Sequence, residues 1–419
     1  MKNENKRAAG GDTSDRSNKR KKQPWIRPRH RIVRNIAYVL LYPYMRIKYG
    51  VKPEKFKAQG SRAYLILYNH QTPFDQFFVG CSFKGPLYYV ATEDIFSNGP
   101  VSSLIKYLAA PVPIVKNTND VSAILKCIRI AREGGSIAIA PEGNRTYSGR
   151  TERISDSIVA LARKLGLPVL LYRIEGGYGV QPRWSDKVRR GKIRSYVRRV
   201  IEPEEYGALT DEEFFGVIKE GLYVDENRYT GLYKSNRRAE YMERAAYVCP
   251  FCGLSEFESR KNTVTCKKCG RTVEYGKDKR LTGAGFDFPF EYFGQWYDHQ
   301  NKYVLSLDLT DTAAPLYRDK ADIYKVELMK SKTPLFRDAD IALYGDRIAV
   351  NEGKDGELIL PFGSLTAAAV LGRNKLNVYA EKAVYQIKGG KRFNAVKYVN
   401  LIYLFKSKKD DSNGEFLGL

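Results

Sequence analysis

The chain has 419 residues, more than one ordinary core holds, because domains typically run to about 100–200 residues; two or three units are expected. Apolar residues make up 43%, an ordinary globular share that excludes a wholly disordered chain, and no run of about 18 or more apolar residues marks a membrane-spanning helix. With 71 basic against 47 acidic residues, a formal net charge of +24, the protein should seek polyanions: nucleic acid, an anionic bilayer or a phosphorylated substrate.

Residues 1–34 hold twelve Lys or Arg against three acids and little that is apolar, so 1–31 reads as a disordered basic tail. Its KRKK cluster at 19–22 fits a juxtamembrane polybasic segment, because IAYVLLYPYM follows at 36–45. That stretch is too short to span a bilayer and contains Pro43. Its flanking Arg31, Arg34, Arg46 and Lys48 suit an interfacial segment with tyrosines at headgroup depth. Burial against the protein core is the alternative, and the two are compatible. A secretory leader is not expected, since the apolar stretch lies deep in the chain and no small-residue cleavage pattern follows it.

From about Ser61 strands alternate with helices. AYLILY (63–68) and SIAIA (136–140) are short apolar runs of the kind that fill a covered sheet. Between them Asp120 can cap a helix that Gly134 stops. Ile124, Leu125, Ile128 and Ala131 should line its inner face, with Lys126, Arg129 and Arg132 on the other. This is α/β construction with a central mixed sheet flanked by helices. The pattern changes near residue 240. A cysteine-bearing module occupies about 245–275, and strand-like runs follow: YVLSLDL at 303–309, a hairpin around Gly345–Asp346, and LNVYA with VYQIK around Glu381–Lys382. NAVKYVNLIYLF (394–405) reads as a strand or a closing helix, and the whole resembles a small pleckstrin-homology-like barrel in pattern. The expected division is a tail at 1–31, an α/β domain at 32–240, a metal ribbon at 241–280 and a mainly β domain at 281–419.

Asn69-His70-Gln71-Thr72-Pro73-Phe74-Asp75 directly follows the first apolar strand. Histidine has the near-neutral pKa suited to taking a proton from a hydroxyl, provided something fixes its tautomer. Residues five apart do not share a helix face, so Asp75 can serve His70 only across a strand-to-helix turn. Thr72 as N-cap and Pro73 at the first helical position would supply that turn, and the helix dipole would favour the charge of Asp75. Taken alone, the same residues are compatible with a capping box and a polar strand end. The second stretch, Glu142-Gly143-Asn144-Arg145, also follows an apolar strand. Arg145 offers a planar fork suited to a phosphate, Glu142 can accept from a glycerol-like hydroxyl, and Gly143 allows close backbone approach.

In this order, about 70 residues apart, the two stretches resemble the glycerolipid acyltransferase family, typified by lysophosphatidic acid acyltransferases. Its Asn-His-x-x-x-x-Asp motif is matched at 69–75, and its Glu-Gly-Thr-Arg motif at 142–145 with Asn144 in place of Thr. APVPIVKN (110–117) stands for an intervening family stretch, with Lys116 at the usual Arg position. GLPVLL (166–171) stands for a later Pro-containing strand and lacks the second proline. The resemblance covers about residues 35–200. It implies that His70 is general base, that Asp75 orients it, and that Arg145, with Lys116 as a second contact, holds the acceptor phosphate. It further implies acyl coenzyme A or acyl carrier protein as donor and a lysophospholipid as acceptor, at the inner, cytoplasmic face of an anionic membrane. A covalent acyl-enzyme finds little support, since no Gly-x-Ser-x-Gly elbow is present and Cys81 and Cys127 sit in apolar helical patterns.

Cys249-Pro-Phe-Cys252-Gly and Cys266-Lys-Lys-Cys269-Gly, 13 residues apart, have the spacing of a zinc ribbon. Four sulfurs close such a site, so the zinc would be structural, and its loss should loosen the ribbon while leaving the active site assembled. Residues 183–199 add eight basic residues against one acid, and with the ribbon they raise a rival reading as a nucleic-acid-binding or non-catalytic lipid-binding protein. Base-stacking aromatic motifs are missing, and Trp184 with this run better suits phosphates of coenzyme A or of the bilayer.

Overall fold

The computed structural model describes residues 23–96, 99–114, 121–328, 331–381 and 383–409. Its first half is a six-stranded sheet of β1 (Leu65–Tyr68), β2 (Leu87–Thr92), β3 (Val112–Ile114), β4 (Ser136–Ile139), β5 (Val169–Glu175) and β6 (Arg194–Ile201). The strand order is β3-β2-β4-β1-β5-β6. All pairs are parallel except β5 with β6, which makes the sheet mixed, as expected.

Helices α1 (Pro28–Lys48), α2 (Asp75–Ser82), α3 (Pro100–Ala109), α4 (Val121–Arg132), α5 (Ser157–Leu165), the single turn α6 (Gly177–Val180), α7 (Pro203–Gly207) and α8 (Asp211–Leu222) surround it. Both faces of a parallel sheet must be covered, and alternate residues of β1 show how. Leu65 and Leu67 enter one core with α4, α5 and α8, whereas Ile66 and Tyr68 enter another with Met45 of α1 and Phe78 of α2. On α4 the buried ridge is Ala123, Cys127 and Ile130, not the expected one. Ile124, Ile128 and Ala131 are half-buried, and Leu125 is exposed. The small Ala and Cys let the helix lie close on the sheet. Gly134 ends the turn at φ +81°, and Asp120 lies outside the described residues.

The cysteine module pairs β7 (Val248–Cys249) with β8 (Gly253–Leu254), and stacks β9 (Phe257–Arg260), β10 (Thr263–Cys266), β11 (Thr272–Tyr275) and β12 (Leu281–Gly283) in order. Next comes α9 (Phe293–Leu305), which corrects the strand expected at 303–309. Phe293, Trp296, Tyr297, Gln300 and Val304 are buried at helical spacing, so Tyr303–Leu305 continue a helix whose period starts ten residues earlier.

An antiparallel seven-stranded sheet follows, comprising β13 (Tyr317–Glu327), β14 (Ser331–Leu343), β15 (Arg347–Val350), β16 (Leu358–Pro361), β17 (Leu365–Leu371), β18 (Lys375–Ala380) and β19 (Ala383–Gly389). The two anticipated hairpins are the β14–β15 and β18–β19 pairs. Residues 394–405 resolve in favour of a helix, α10 (Val396–Lys409). One apolar core runs through the ribbon, α9, α10 and this sheet, and it reaches Tyr147 and Trp184 of the first half.

Candidate active site

His70 and Glu142 each lie just beyond the carboxyl end of a strand, and those strands, β1 and β4, are parallel neighbours with Leu67 opposite Ile139. Topology thus brings together two loops about 70 residues apart, in the crevice where open α/β sheets place their ligands. The loops are bonded to each other. Glu142 Oε1 accepts from the His70 amide at 2.8 Å, and the Thr146 amide donates to the His70 carbonyl at 3.1 Å.

His70 Nδ1 lies 2.7 Å from Asp75 Oδ2. The same oxygen accepts from the amides of Gln71 (2.6 Å) and Thr72 (2.9 Å), while Asp75 Oδ1 accepts from Thr72 Oγ1 at 2.6 Å. The turn differs from the expected one: α2 begins at Asp75 with Phe74 in the cap position, not at Pro73 behind Thr72. Thr72 instead closes a small turn by accepting from the Phe74 amide at 3.1 Å. With Nδ1–H given to the buried Asp75, Nε2 keeps its lone pair. Burial lowers the His70 pKa below its ordinary 6.5, Arg145 and Arg183 push the same way, and Asp75 opposes them. The ring is therefore neutral at pH 7 and able to accept a proton.

On the β4 loop, Glu142 has both oxygens on backbone, His70 at 2.8 Å and Glu152 at 2.6 Å, so it clamps two loops together. Burial raises its pKa well above the usual carboxylate range. Gly143 sits at φ +65° with open space where a Cβ would be, so its backbone conformation is what asks for glycine. Asn144 Oδ1 accepts from Arg183 Nη2 at 3.2 Å. Arg145 has a buried Nη1 without a hydrogen-bond partner. Burial, together with the charges of Arg183 and Arg373, lowers its pKa to about 10, still protonated at neutral pH. Lys116 lies outside the described residues.

Gln71 carries no signal in sequence, yet it anchors the histidine loop from behind. Its Nε2 donates to Glu226 Oε1 at 3.0 Å, and its Oε1 accepts from the Tyr178 amide at 3.2 Å. A Cβ on Gly177 would lie 2.6 Å from Gln71 Oε1, so glycine lets α6 come up under the loop. Glu226 is fully buried and pairs at 3.7 Å with Lys279, which also donates to the carbonyls of Glu226 and Tyr229. Lys279 belongs to the turn between β11 and β12. The ribbon thus reaches the active-site loop, contrary to the expected independence of the two. Trp184 and Arg189, expected to meet phosphates, are fully buried: the indole donates to Tyr178 Oη at 3.3 Å and the guanidinium to protein carbonyls.

The four ribbon cysteines converge, with all Sγ atoms within 4.8 Å of one another and pairs at 3.8 Å (Cys249–Cys269) and 3.6 Å (Cys252–Cys266). A tetrahedron of Zn–S bonds of about 2.3 Å places sulfurs about 3.8 Å apart, so the donor set fits zinc.

A histidine–carboxylate pair, on a loop bonded to the one that carries a guanidinium with a buried, unpartnered Nη1, defines a class of site able to deprotonate a hydroxyl beside an anion. Residues 50–174 match the Acyltransferase family model. Among curated proteins it is similar to the chloroplastic 1-acyl-sn-glycerol-3-phosphate acyltransferase BAT2 of Brassica napus, 23% identical over 189 residues, 44% of this chain and 53% of that protein. It is also similar to the chloroplastic 1-acyl-sn-glycerol-3-phosphate acyltransferase LPAT1 of Arabidopsis thaliana, 21% identical over 196 residues, 45% of this chain and 53% of that protein. The chain spans about half the length of these relatives. Among solved structures, the 1-acyl-sn-glycerophosphate (LPA) acyltransferase PlsC of Thermotoga maritima aligns with a TM-score of 0.36 and 21% identity, over 46% of this chain and 74% of that one.

Proposed function

We propose that the protein is an O-acyltransferase that moves a fatty acyl group from acyl coenzyme A or acyl carrier protein to the free hydroxyl of a lysophospholipid, 1-acylglycerol-3-phosphate above others. The observation that carries this reading is the 2.7 Å His70–Asp75 bond on a loop tied directly to the one bearing Arg145. His70 Nε2 takes the hydroxyl proton as that oxygen attacks the thioester carbonyl. The new ester bond forms, the C–S bond breaks, and the proton leaves with the thiol. A base so placed contributes about 10²–10⁴ in rate. Arg145 holds the acceptor phosphate, and the four cysteines hold a structural zinc.

The acceptor reaches His70 from a bilayer. No helix among the described residues is long and apolar enough to cross a membrane. Instead α1 turns Ile32, Ile36, Val39, Leu40 and Ile47 outward, each more than half exposed, and beside it α3 exposes Val101, Leu104 and Tyr107. Arg29 joins the two helices by stacking on Tyr107 at 4.0 Å. The far end of α1 rests on the histidine loop, with the rings of Tyr44 and Tyr49 lying 5.7 and 4.9 Å from Phe74. A helix lying in the interface of an anionic cytoplasmic leaflet would thus hold His70 near headgroup depth.

The test is to incubate purified protein with labelled acyl coenzyme A or acyl carrier protein and a panel of lysolipids in anionic vesicles. Transfer to a phosphate-bearing lysolipid, lost in His70→Ala, is expected. Absence of transfer to every acceptor, or near-normal turnover by the variant, would overturn the reading.

A further inference from the structure

The guanidinium groups around Arg145 come from both halves of the chain. Arg183, in the loop after α6, donates from Nη1 to the Arg145 carbonyl at 2.9 Å. Its Nη2 donates at 3.2 Å to Asn144 Oδ1 and at 3.2 Å to the carbonyl of Val370 in β17 of the C-terminal sheet. The turn leaving that strand carries Arg373, whose Nη1 lies 2.9 Å from Asp186 Oδ1 in the Arg183 loop. Asp186 also pairs with Arg244 at 2.6 Å, so one carboxylate is shared between two guanidinium groups.

Among the described residues, neither Arg145 nor Arg183 forms an ion pair, and Arg145 Nη1 is buried without an acceptor. Burial and then Arg183 weigh most against the charge of Arg145, with Arg373 acting the same way, while Tyr147 and, more weakly, Asp75 favour it. Gathering like charges around a desolvated donor is costly unless an anion arrives to neutralise them, and a phosphate monoester supplies charge and acceptor oxygens together. The three arginines differ in what they can offer it. Arg183, 3% exposed, spends its donors on protein oxygens and acts as a strut. The Arg373 side chain is 36% exposed and, among the described residues, pairs with Asp186 through Nη1, which leaves its other donors available.

We propose that Arg373, presented by the β17–β18 turn, completes with Arg145 the seat for the acceptor's phosphate, so that the C-terminal sheet is part of the acceptor site and reads its anionic head group. This rests on the reading that the acceptor bears a phosphate. Glycerol 3-phosphate binding, followed by calorimetry on the full chain, should weaken about 10- to 100-fold in Arg373→Ala. Arg373→Lys, which keeps the charge and an ion pair to Asp186, should fall between that variant and wild type. In initial-rate assays the KM for 1-acylglycerol-3-phosphate should rise to match, while the KM for acyl coenzyme A stays within about twofold.

Unchanged or undetectable glycerol 3-phosphate binding would overturn the proposal, as would a rise confined to the coenzyme A KM, which would put Arg373 on the donor's phosphates instead. Equal rises in both KM values with a lowered melting temperature would reduce it to a strut. Wild-type protein that binds glycerol 3-phosphate through Arg373 yet acylates no lysolipid would sink the acyltransferase reading and leave the anion seat standing.

Discussion

Replacing Asp75 with Asn isolates the contribution of charge to the His70 pair, because the surrounding bonds survive the change. Asp75 Oδ2 accepts from His70, Gln71 and Thr72, and Oδ1 accepts from the Thr72 hydroxyl alone. An Asn carbonyl oxygen in the Oδ2 position keeps the first three bonds. Its amide then faces Thr72 Oγ1, a hydroxyl that can rotate to accept. The histidine tautomer is therefore preserved, and only the negative charge beside the ring is lost. A hydrogen bond to a charged group contributes about 1.5–3 kcal/mol against about 0.5–1.5 for a neutral one. The difference matters most in the transition state, where the ring becomes an imidazolium. About 1–2 kcal/mol corresponds to a kcat lower by roughly 5- to 30-fold. The pH profile supplies an independent sign. His70 must be neutral to act, so kcat/KM rises with pH through its pKa, which burial already sets below 6.5. Asp75 is the influence that raises that pKa, so its loss must move the acid limb to lower pH. Stopped-time assays of thiol release across pH 4–8 measure both quantities. A kcat within twofold of wild type, or an acid limb moved to higher pH, would refute the reasoning.

Metal analysis should find one zinc per chain, lost on Cys249→Ser. Because Lys279 ties the ribbon to Glu226 and Gln71, a strong chelator should lower activity as well as loosen the ribbon; full activity in metal-free protein would disprove that link. Lys279→Met leaves Glu226 buried without its cation and should cost about 3–5 kcal/mol in urea denaturation, with Glu226→Gln recovering part of the loss in the double variant. Val39→Asp with Leu40→Asp on the outer face of α1 should abolish flotation with anionic vesicles at every salt concentration. Wild-type binding should weaken with salt and persist, and insensitivity to lipid charge would count against an electrostatic contribution.

What could be read from the chain follows the range of the interactions involved. The helix–strand alternation, the two strand-end motifs and the cysteine spacing are local patterns, and each appears in the structure as sheet, paired loops and a four-sulfur cluster. The His70–Asp75 contact was legible because both residues lie within one turn. Its cap geometry was not, since Asp75 draws the preceding amides onto its own carboxylate and delays the helix by two residues. YVLSLDL misled because its apolar residues finish the period of a helix begun at Phe293. The basic run at 183–199 suggests contact with phosphates of coenzyme A or of the bilayer, yet Arg183 and Arg189 turn inward to carbonyls that only the fold brings near. Gln71–Glu226 and Arg183–Val370 join residues 155 and 187 positions apart, a separation at which one sequence carries no pairing signal.

The loop from 69 to 75 explains why so much of the chain converges on one histidine. Asn69 exchanges two bonds with Ile174 of β5, at 2.8 and 2.7 Å, which fixes the strand end. The His70 amide is held by Glu142, Gln71 by Glu226, Thr72 by Asp75 and Phe74 by Tyr44 of α1 and Tyr49 just past its end. Successive residues thus have separate anchors on β5, the β4 loop, the segment bound by the ribbon, and the outward-facing helix. No single anchor sets the position of Nε2, which is the intersection of all of them. Since a misplacement of about 1 Å can cost roughly 100-fold in rate, distant parts of the chain influence catalysis through geometry. Loosening Lys279 should therefore lower kcat before it alters either KM, because it shifts the proposed base and leaves in place the arginines proposed to hold the acceptor.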